Sequence, residues 1–248
     1  MLDSFSSSVQ DYAKALYALE GREGEAVSTN ELAERLGVTA GSVSAMVRRL
    51  AELGLADHSP YRGVRLTERG RMIALEVLRH HRLIELFLAE ELGMPWDRVH
   101  DEAEVLEHVL SEDLEQLISE RLGHPALDPH GDPIPSAELE VSEPATRGLD
   151  ALEVGASGRF VRISDSDPEM LRYLSGLGIA LGDRLEVSER QPFGGPVVVR
   201  VCGREVPLGG QLAAAMRIEP DAPRRPGATP APPPEPESAA TSEPEVTR

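Results

Sequence analysis

Between Leu78 and His108 the chain gathers side chains that bind divalent cations, at helical spacing. His81 and Glu85 stand four residues apart, and His100, Glu104, Glu107 and His108 follow. At 100° per residue the last four fall within an arc of about 100°, with Leu106, Val109 and Leu110 turned the other way. If the two helices pack antiparallel, six ligand-type residues converge, as a divalent-metal site requires. A solvated acidic face has the same composition, so the pattern alone leaves both readings open.

The charge distribution separates this region from the one before it. The chain of 248 residues carries a net charge of −18, which opposes binding to duplex DNA. From Arg35 to Arg71, however, seven Arg face three acidic residues, and from Met72 to Ala145 eighteen acidic residues face four Arg. The basic segment coincides with a helix-turn-helix pattern. No apolar run is long enough to span a membrane and no secretory signal is apparent. The lone Cys202 excludes an intrachain disulfide, so a cytoplasmic location is expected. Cys202 lies in an alternating apolar stretch, where a small buried hydrophobe is expected.

The elements that must hold these residues follow from periodicity. A first helix is predicted over Ser7–Leu19. Ser28-Thr29-Asn30-Glu31 is a capping box, and the helix it opens stops at Gly37. Thr39 caps a second helix from Ala40 to about Leu53, with Leu32, Ala33, Leu36, Val38, Val43, Val47 and Leu50 as the small core. Leu55–His58 and Val64–Leu66 form a hairpin, the wing, around a turn at Ser59–Gly63. A helix-turn-helix of this kind places its second helix in the major groove. Ser28, Thr39, Ala40, Ser42, Ser44, Arg48 and Arg49 are the candidate DNA-facing residues, and Arg62 and Arg65 in the wing are candidates for phosphate contact. A winged helix used only for protein contacts is the alternative. A long helix over Thr67–Leu92 and another over about Trp96–Leu110 carry the ligand-type residues; His58 and His80 read as surface residues and His124 as an exposed loop histidine.

The remaining chain divides by composition. Domains are expected at residues 1–72 (winged helix), 73–140 (helical and acidic) and 152–219, after a linker at 141–151. The Pro-rich tail 220–248 is expected to be disordered. The third module reads as strands at Gly158–Ile163, Arg184–Ser188, Val197–Cys202, Arg204–Pro207 and Met216–Ile218, with a helix at Pro168–Leu177, a small β-barrel. The fold class is thus mainly α with a C-terminal β module.

The run VHDEAEVLEHVLSEDLEQLI, the upstream LRHHRLIELFL, and YAKALYALE ahead of a winged helix-turn-helix resemble the diphtheria toxin repressor family, and within it the manganese-responsive regulators. The resemblance covers about residues 5–140 strongly and 152–219 more loosely, the latter with the SH3-like domain of that family. It implies a homodimeric, cytoplasmic repressor of metal-uptake genes that binds palindromic operators in double-stranded DNA when loaded with metal, and no organic substrate. Carried over by position, the primary metal site is Asp11, Glu104, Glu107 and His108. An ancillary site contains His81, Glu85 and His100, completed by His130 and by Asp165 or Asp167. Iron-responsive members carry Met and Cys where this chain has Asp11 and Glu104, and that exchange of sulfur for oxygen favours Mn²⁺. Fe²⁺ is the alternative, with Zn²⁺ or Co²⁺ able to substitute in vitro. Lys14 stands where binuclear manganese regulators carry a Glu ligand, implying two separated sites rather than a bridged pair, and Met170 stands where iron regulators place an amide ligand.

The mechanism expected is that an ion bridges Asp11 on the first helix to the acidic domain and orders the DNA-binding head, while bare carboxylates repel and leave it mobile. The dimer is expected to form through apolar residues within Val99–Leu122. Two other readings are a metal-dependent hydrolase, for which no free base or oxyanion device is seen, and a winged-helix regulator that answers to an organic ligand.

Overall fold

The computed structural model describes residues 2–21, 24–59, 62–165 and 167–221. Pro60 and Tyr61 of the wing turn, and the Pro-rich tail from residue 222, lie outside the described residues.

Helix α1 (Ser7–Glu20) packs its apolar face onto α2 (Thr29–Leu36), α3 (Ala40–Glu52) and α4 (Glu68–Glu90). The Ser28–Glu31 capping box forms in full, with Gly37 left-handed at the end of α2. Thr39 accepts from the Ser42 amide to start α3, and Thr67 caps α4 in the same way. Leu16, Leu32, Val43, Val47, Leu50 and Val64 fill the core beneath them. Val38, expected in that core, is 40% exposed, because it lies in the tight turn leading to the Thr39 cap.

The wing is an antiparallel pair, β1 (Ala56–Ser59) with β2 (Gly63–Leu66). Val27 bridges the other edge of β2 through Val64, and the Leu66 amide donates to the buried carboxylate of Glu20, which also accepts from Arg71 at 3.1 Å. The last residue of α1 therefore holds the wing.

α5 (Val99–Leu106) and α6 (Glu112–Arg121) pack against α4 in two small clusters, Ile84, Leu88, Val99 and Ala103 in one and Leu83, Leu86, Ile118 and Ile134 in the other. α5 is shorter than periodicity implied: it ends at Leu106, with Glu107 as its C-cap and His108 in the following turn.

The C-terminal module is one antiparallel sheet, in the order β3 (Arg147–Gly148), β8 (Met216–Pro220), β4 (Ser157–Ile163), β5 (Arg184–Arg190), β6 (Val197–Val201), β7 (Arg204–Leu208). Helices α7 (Pro168–Leu177) and α8 (Gly210–Ala215) complete it over a core that includes Phe160, Leu174, Val199 and Ile218. Cys202 is exposed, contrary to expectation. It sits with φ 48° in the turn joining β6 to β7, so the alternation ends one residue before it.

The segment between the helical part and the sheet is fastened at several points. Arg79 donates to Pro135 O at 2.6 Å and Arg82 to Pro133 O at 2.5 Å. The Ile163 amide donates to His130 O, Trp96 Nε1 to Ser175 Oγ at 2.8 Å, and Arg172 pairs with Asp97. Gly131 (φ +84°) lies so close to Val161 O that a Cβ would meet it at 1.9 Å.

Candidate metal centres and nucleic-acid interface

Two clusters of oxygen and nitrogen donors emerge where α1, α4, α5 and the C-terminal module meet. The first joins Asp11 of α1 to Glu107 and His108. His108 Nε2 lies 2.9 Å from Asp11 Oδ1 and 3.5 Å from Glu107 Oε1. Burial raises the Asp11 carboxyl, with His108 and Lys14 working against that rise. Glu104 is turned toward Lys14, whose ammonium lies 2.7 Å from Glu104 Oε1 and 2.6 Å from Glu107 Oε1. Burial opposes the Lys14 charge, but Glu107 and Glu104 outweigh it and raise its pKa. The repulsion expected among bare carboxylates is therefore offset by an ammonium already lodged between them.

The second cluster gathers His81, Glu85, His100 and Asp165. His81 Nε2 lies 3.1 Å from Glu85 Oε1, and His100 Nδ1 lies 3.3 Å from the same oxygen and 2.9 Å from Asp165 Oδ2. The other nitrogen of His81 meets Glu107 Oε2 at 2.5 Å, so one imidazole touches both clusters. Burial disfavours its charge, yet Glu107 and Glu85 lift its pKa to about 9. Asp165, then Glu85, raise His100 to about 10 against burial. Burial disfavours the Glu85 charge, but His100 and His81 bring it down to about 2, and Asp165 is likewise depressed, burial being outweighed by His100. Asp167, the alternative to Asp165, caps α7 by accepting from the Glu169 and Met170 amides and stands outside the cluster.

His130 and a residue the sequence reading passed over, Asp128, extend this cluster on the Glu85 side. All three are buried. His130 Nε2 lies 2.8 Å from Trp96 O; a carbonyl only accepts, so Nε2 carries a hydrogen and Nδ1 is the nitrogen left to ligate. Nδ1 lies 3.8 Å from Glu85 Oε2, and neither atom has a hydrogen-bond partner. Buried ligand atoms left without a hydrogen bond are what a cation between them would satisfy. Burial, with Asp132 and Glu85 nearby, pushes the Asp128 carboxyl well up. Asp11 Oδ1, beside His108 Nε2, is a further buried atom that makes no hydrogen bond. The donor sets thus fit a divalent ion, and they contain no sulfur, which suits a hard one. The spacing DPHGDP carried a signal for Asp128: its carboxylate accepts from the His130 and Asp132 amides, a local turn that faces both residues inward.

His80 is a correction. Expected at the surface, it is 1% exposed, with Nδ1 3.2 Å from Glu107 O and Nε2 3.2 Å from Glu115 Oε2. On α4 it falls on the face that receives α5 and α6. His58 and His124 are exposed.

The candidate DNA-facing residues form an uncovered surface: Ser28, Thr39, Ala40, Ser42, Ser44, Arg48, Arg49, Arg62 and Arg65 are all exposed. Several polar groups there are engaged locally. Thr39 and Ser42 hydroxyls lie 3.0 Å apart, Ser44 donates to Ala40 O, and Arg48 Nε donates to Ser44 O.

Comparison with known proteins matches the chain to three family models in succession: the N-terminal DNA-binding domain of iron-dependent repressors over residues 4–64, their metal-binding and dimerisation domain over 67–136, and the FeoA domain over 147–220. The iron-dependent repressor IdeR of Mycobacterium tuberculosis is 34% identical over 220 residues, 84% of this chain and 95% of its own length. The diphtheria toxin repressor of Corynebacterium diphtheriae is 31% identical over 218 residues, with coverage of 84% and 95%. Among solved structures, a manganese-dependent transcriptional repressor in complex with manganese superposes with a TM-score of 0.80 at 46% identity, covering 86% of this chain and 99% of that one. ScaR with bound Zn²⁺ superposes at 0.72 with 29% identity, covering 85% and 98%.

Proposed function

From the premise that this chain belongs to the diphtheria toxin repressor family of metal-dependent transcriptional repressors, we propose that its effector is Mn²⁺, held at two centres, and that the loaded homodimer represses metal-uptake genes. The family is one of repressors and not of enzymes, which removes the hydrolase reading.

The observation that carries the proposal is the pairing of sulfur-free donor sets with three buried ligand atoms that make no hydrogen bond, Asp11 Oδ1, Glu85 Oε2 and His130 Nδ1. Asp11, Glu104, Glu107 and His108 would hold the first ion. His81, Glu85, His100, His130 and Asp165 would hold the second, with Asp128 added to that set. The relatives named for manganese and for zinc-bound forms support a divalent ion, and those named for iron keep Fe²⁺ as the alternative. An ion in the first centre supplies positive charge at the seam between α1 and α5. It would thereby fix α1, and with it the wing that Glu20 holds, relative to the acidic domain.

For the DNA contact, α3 is proposed to enter the major groove through Thr39, Ala40, Ser42, Ser44, Arg48 and Arg49, with Arg62 and Arg65 on phosphates. The hydroxyl of Ser28 is engaged in its capping box, which leaves it a helix-starting role beside any phosphate contact. A second copy of the chain is proposed to cover Val105, Val109 and Leu117, which are 69%, 78% and 61% exposed, an apolar patch that a monomer has no reason to display. No helix among the described residues is long and apolar enough to cross a membrane; a repressor works where the chromosome is, and the proposed location is the cytoplasm.

The test uses duplexes selected from a random pool by the Mn²⁺-loaded protein. Wild-type binding should require Mn²⁺ and vanish in chelator, and Asp11→Ala should fail to bind at the Mn²⁺ concentration that suffices for the wild type. Selection that succeeds equally in chelator, or Asp11→Ala with an unaltered Mn²⁺ requirement, overturns the reading. Parallel titrations with Fe²⁺ and Zn²⁺ separate the candidate ions.

A further inference from the structure

Gln10 precedes Asp11 on α1 and is 2% exposed, a buried amide that belongs to neither donor set. Its surroundings distinguish its two ends. Nε2 lies 3.1 Å from Phe5 O and 3.3 Å from Leu2 O. Both are carbonyls and only accept, so the amide NH₂ must face them. The oxygen end then faces His108 Nδ1 at 2.7 Å. An amide oxygen also only accepts, so Nδ1 carries a hydrogen. A neutral imidazole with its hydrogen on Nδ1 has its lone pair on Nε2, the nitrogen turned toward Asp11 and Glu107. Flipping the amide would set its oxygen against two carbonyl oxygens. It would also set its NH₂ against Nδ1, so the arrangement is determined at both ends.

We infer that Gln10 is a positioning residue for the first centre. It holds His108 in the Nδ1–H tautomer with Nε2 free to ligate, and with the same side chain it fastens the segment Leu2–Phe5 ahead of α1. The inference rests on the reading of that centre as a metal site. A ligating imidazole is oriented by what its other nitrogen donates to, and losing that partner typically weakens metal binding about 10- to 100-fold. Hydrogen bonds in series also polarise one another. The harder Nδ1–H donates to Gln10, the more firmly Gln10 donates to Leu2 and Phe5, so the state of the centre reaches the first turn of the chain.

Two substitutions separate the two ends of the amide. Gln10→Leu keeps the bulk and removes both functions. Gln10→Glu keeps an acceptor for Nδ1–H but has no N–H for the carbonyls. The ring nitrogens of His108 are read by ¹⁵N NMR on the metal-free full-length chain at alkaline pH, with His108→Gln giving the assignment. The wild type should show hydrogen on Nδ1, and Gln10→Leu a shift toward the Nε2–H form. Calorimetry with Mn²⁺ should show weakening of about 10- to 100-fold for Gln10→Leu, and none for Gln10→Glu. Amide exchange over residues 2–6 should quicken in both variants. A wild-type His108 with its hydrogen on Nε2 overturns the inference, and so does Gln10→Leu with tautomer and Mn²⁺ affinity unchanged. If the wild type takes up no Mn²⁺ at this centre, the metal reading fails, while the metal-free tautomer still decides the role of Gln10.

Discussion

Uptake of Mn²⁺ at the second centre should be coupled to proton release, and the structure gives the amount. His81 and His100 have pKa values of about 9 and 10 because Glu107, Glu85 and Asp165 surround them. Near pH 7.5 only about 3% of His81 is neutral, and about a tenth of that share of His100. An ion needs the lone pairs those protons occupy. Glu85 and Asp165 are already ionised at that pH, their pKa values being depressed, and contribute no protons. Loading should therefore release about two protons. Affinity should then rise about 100-fold per pH unit from pH 7 until His81 loses its proton near 9. The assay is calorimetry of the Asp11→Ala chain, in which the first centre is disabled, in buffers of differing ionisation enthalpy. The same groups fix the sign for the metal-free fold. A pKa raised on folding contributes stability that is complete below about 6.5. It is lost as pH rises through about 9 and 10. The melting temperature of the metal-free protein should therefore fall over that window. Release of fewer than one proton, or an affinity flat between pH 7 and 9, refutes the assignment.

Other outcomes follow from single contacts. Lys14→Gln should destabilise the metal-free protein by about 2–3 kcal/mol, since Glu107 is left buried without its ammonium; thermal melts check this, and Mn²⁺ should bind the first centre more tightly once its competitor is gone. Arg62→Ala with Arg65→Ala should weaken DNA binding uniformly across sequences and lower the salt slope by about 2, read by fluorescence anisotropy at several salt concentrations. Val109→Glu with Leu117→Glu should give a monomer by sedimentation. Gly131→Ala should cost more than about 2 kcal/mol in a denaturant melt, because it forces a side chain into a left-handed turn against Val161 O.

Local rules made much of this molecule legible beforehand. The capping box at Ser28, the stop at Gly37, the Thr39 cap and helix α7 with its exact limits depend on neighbours in sequence, and they read correctly. So did the grouping of His81, Glu85 and His100, which share faces of helices that pack together. What escaped depends on contacts distant along the chain. His80 looked solvated because nothing local reveals that α6 brings Glu115 onto it. Lys14 was visible as a departure from a ligand pattern, but not as a cation lodged between residues 90 and 93 positions away. The choice between Asp165 and Asp167 needed the turn into α7, which commits the second to capping. The early end of α5 splits His108 from His100, two residues that an ideal helix would have kept on one face.

The fastenings around Arg79, Arg82, Trp96 and Gly131 bear on which centre transmits the signal. The segment leading to the C-terminal sheet is stapled to α4 through the Pro133 and Pro135 carbonyls and to β4 through Gly131 and His130 O, and Trp96 holds α7, by contacts that involve no ligand atom of the second cluster. Withdrawing an ion there loosens a joint that other rivets still close. At the first centre the polar ties from α1 to Glu104, Glu107 and His108 run through Lys14, Gln10 and Asp11, beside the apolar packing of α1 on α4, and Glu20 at the far end of α1 holds the wing. Under the proposed function, loss of the ion is therefore expected to act first at the amino-terminal seam, with the carboxy-terminal module as ballast that keeps the opposite wall still.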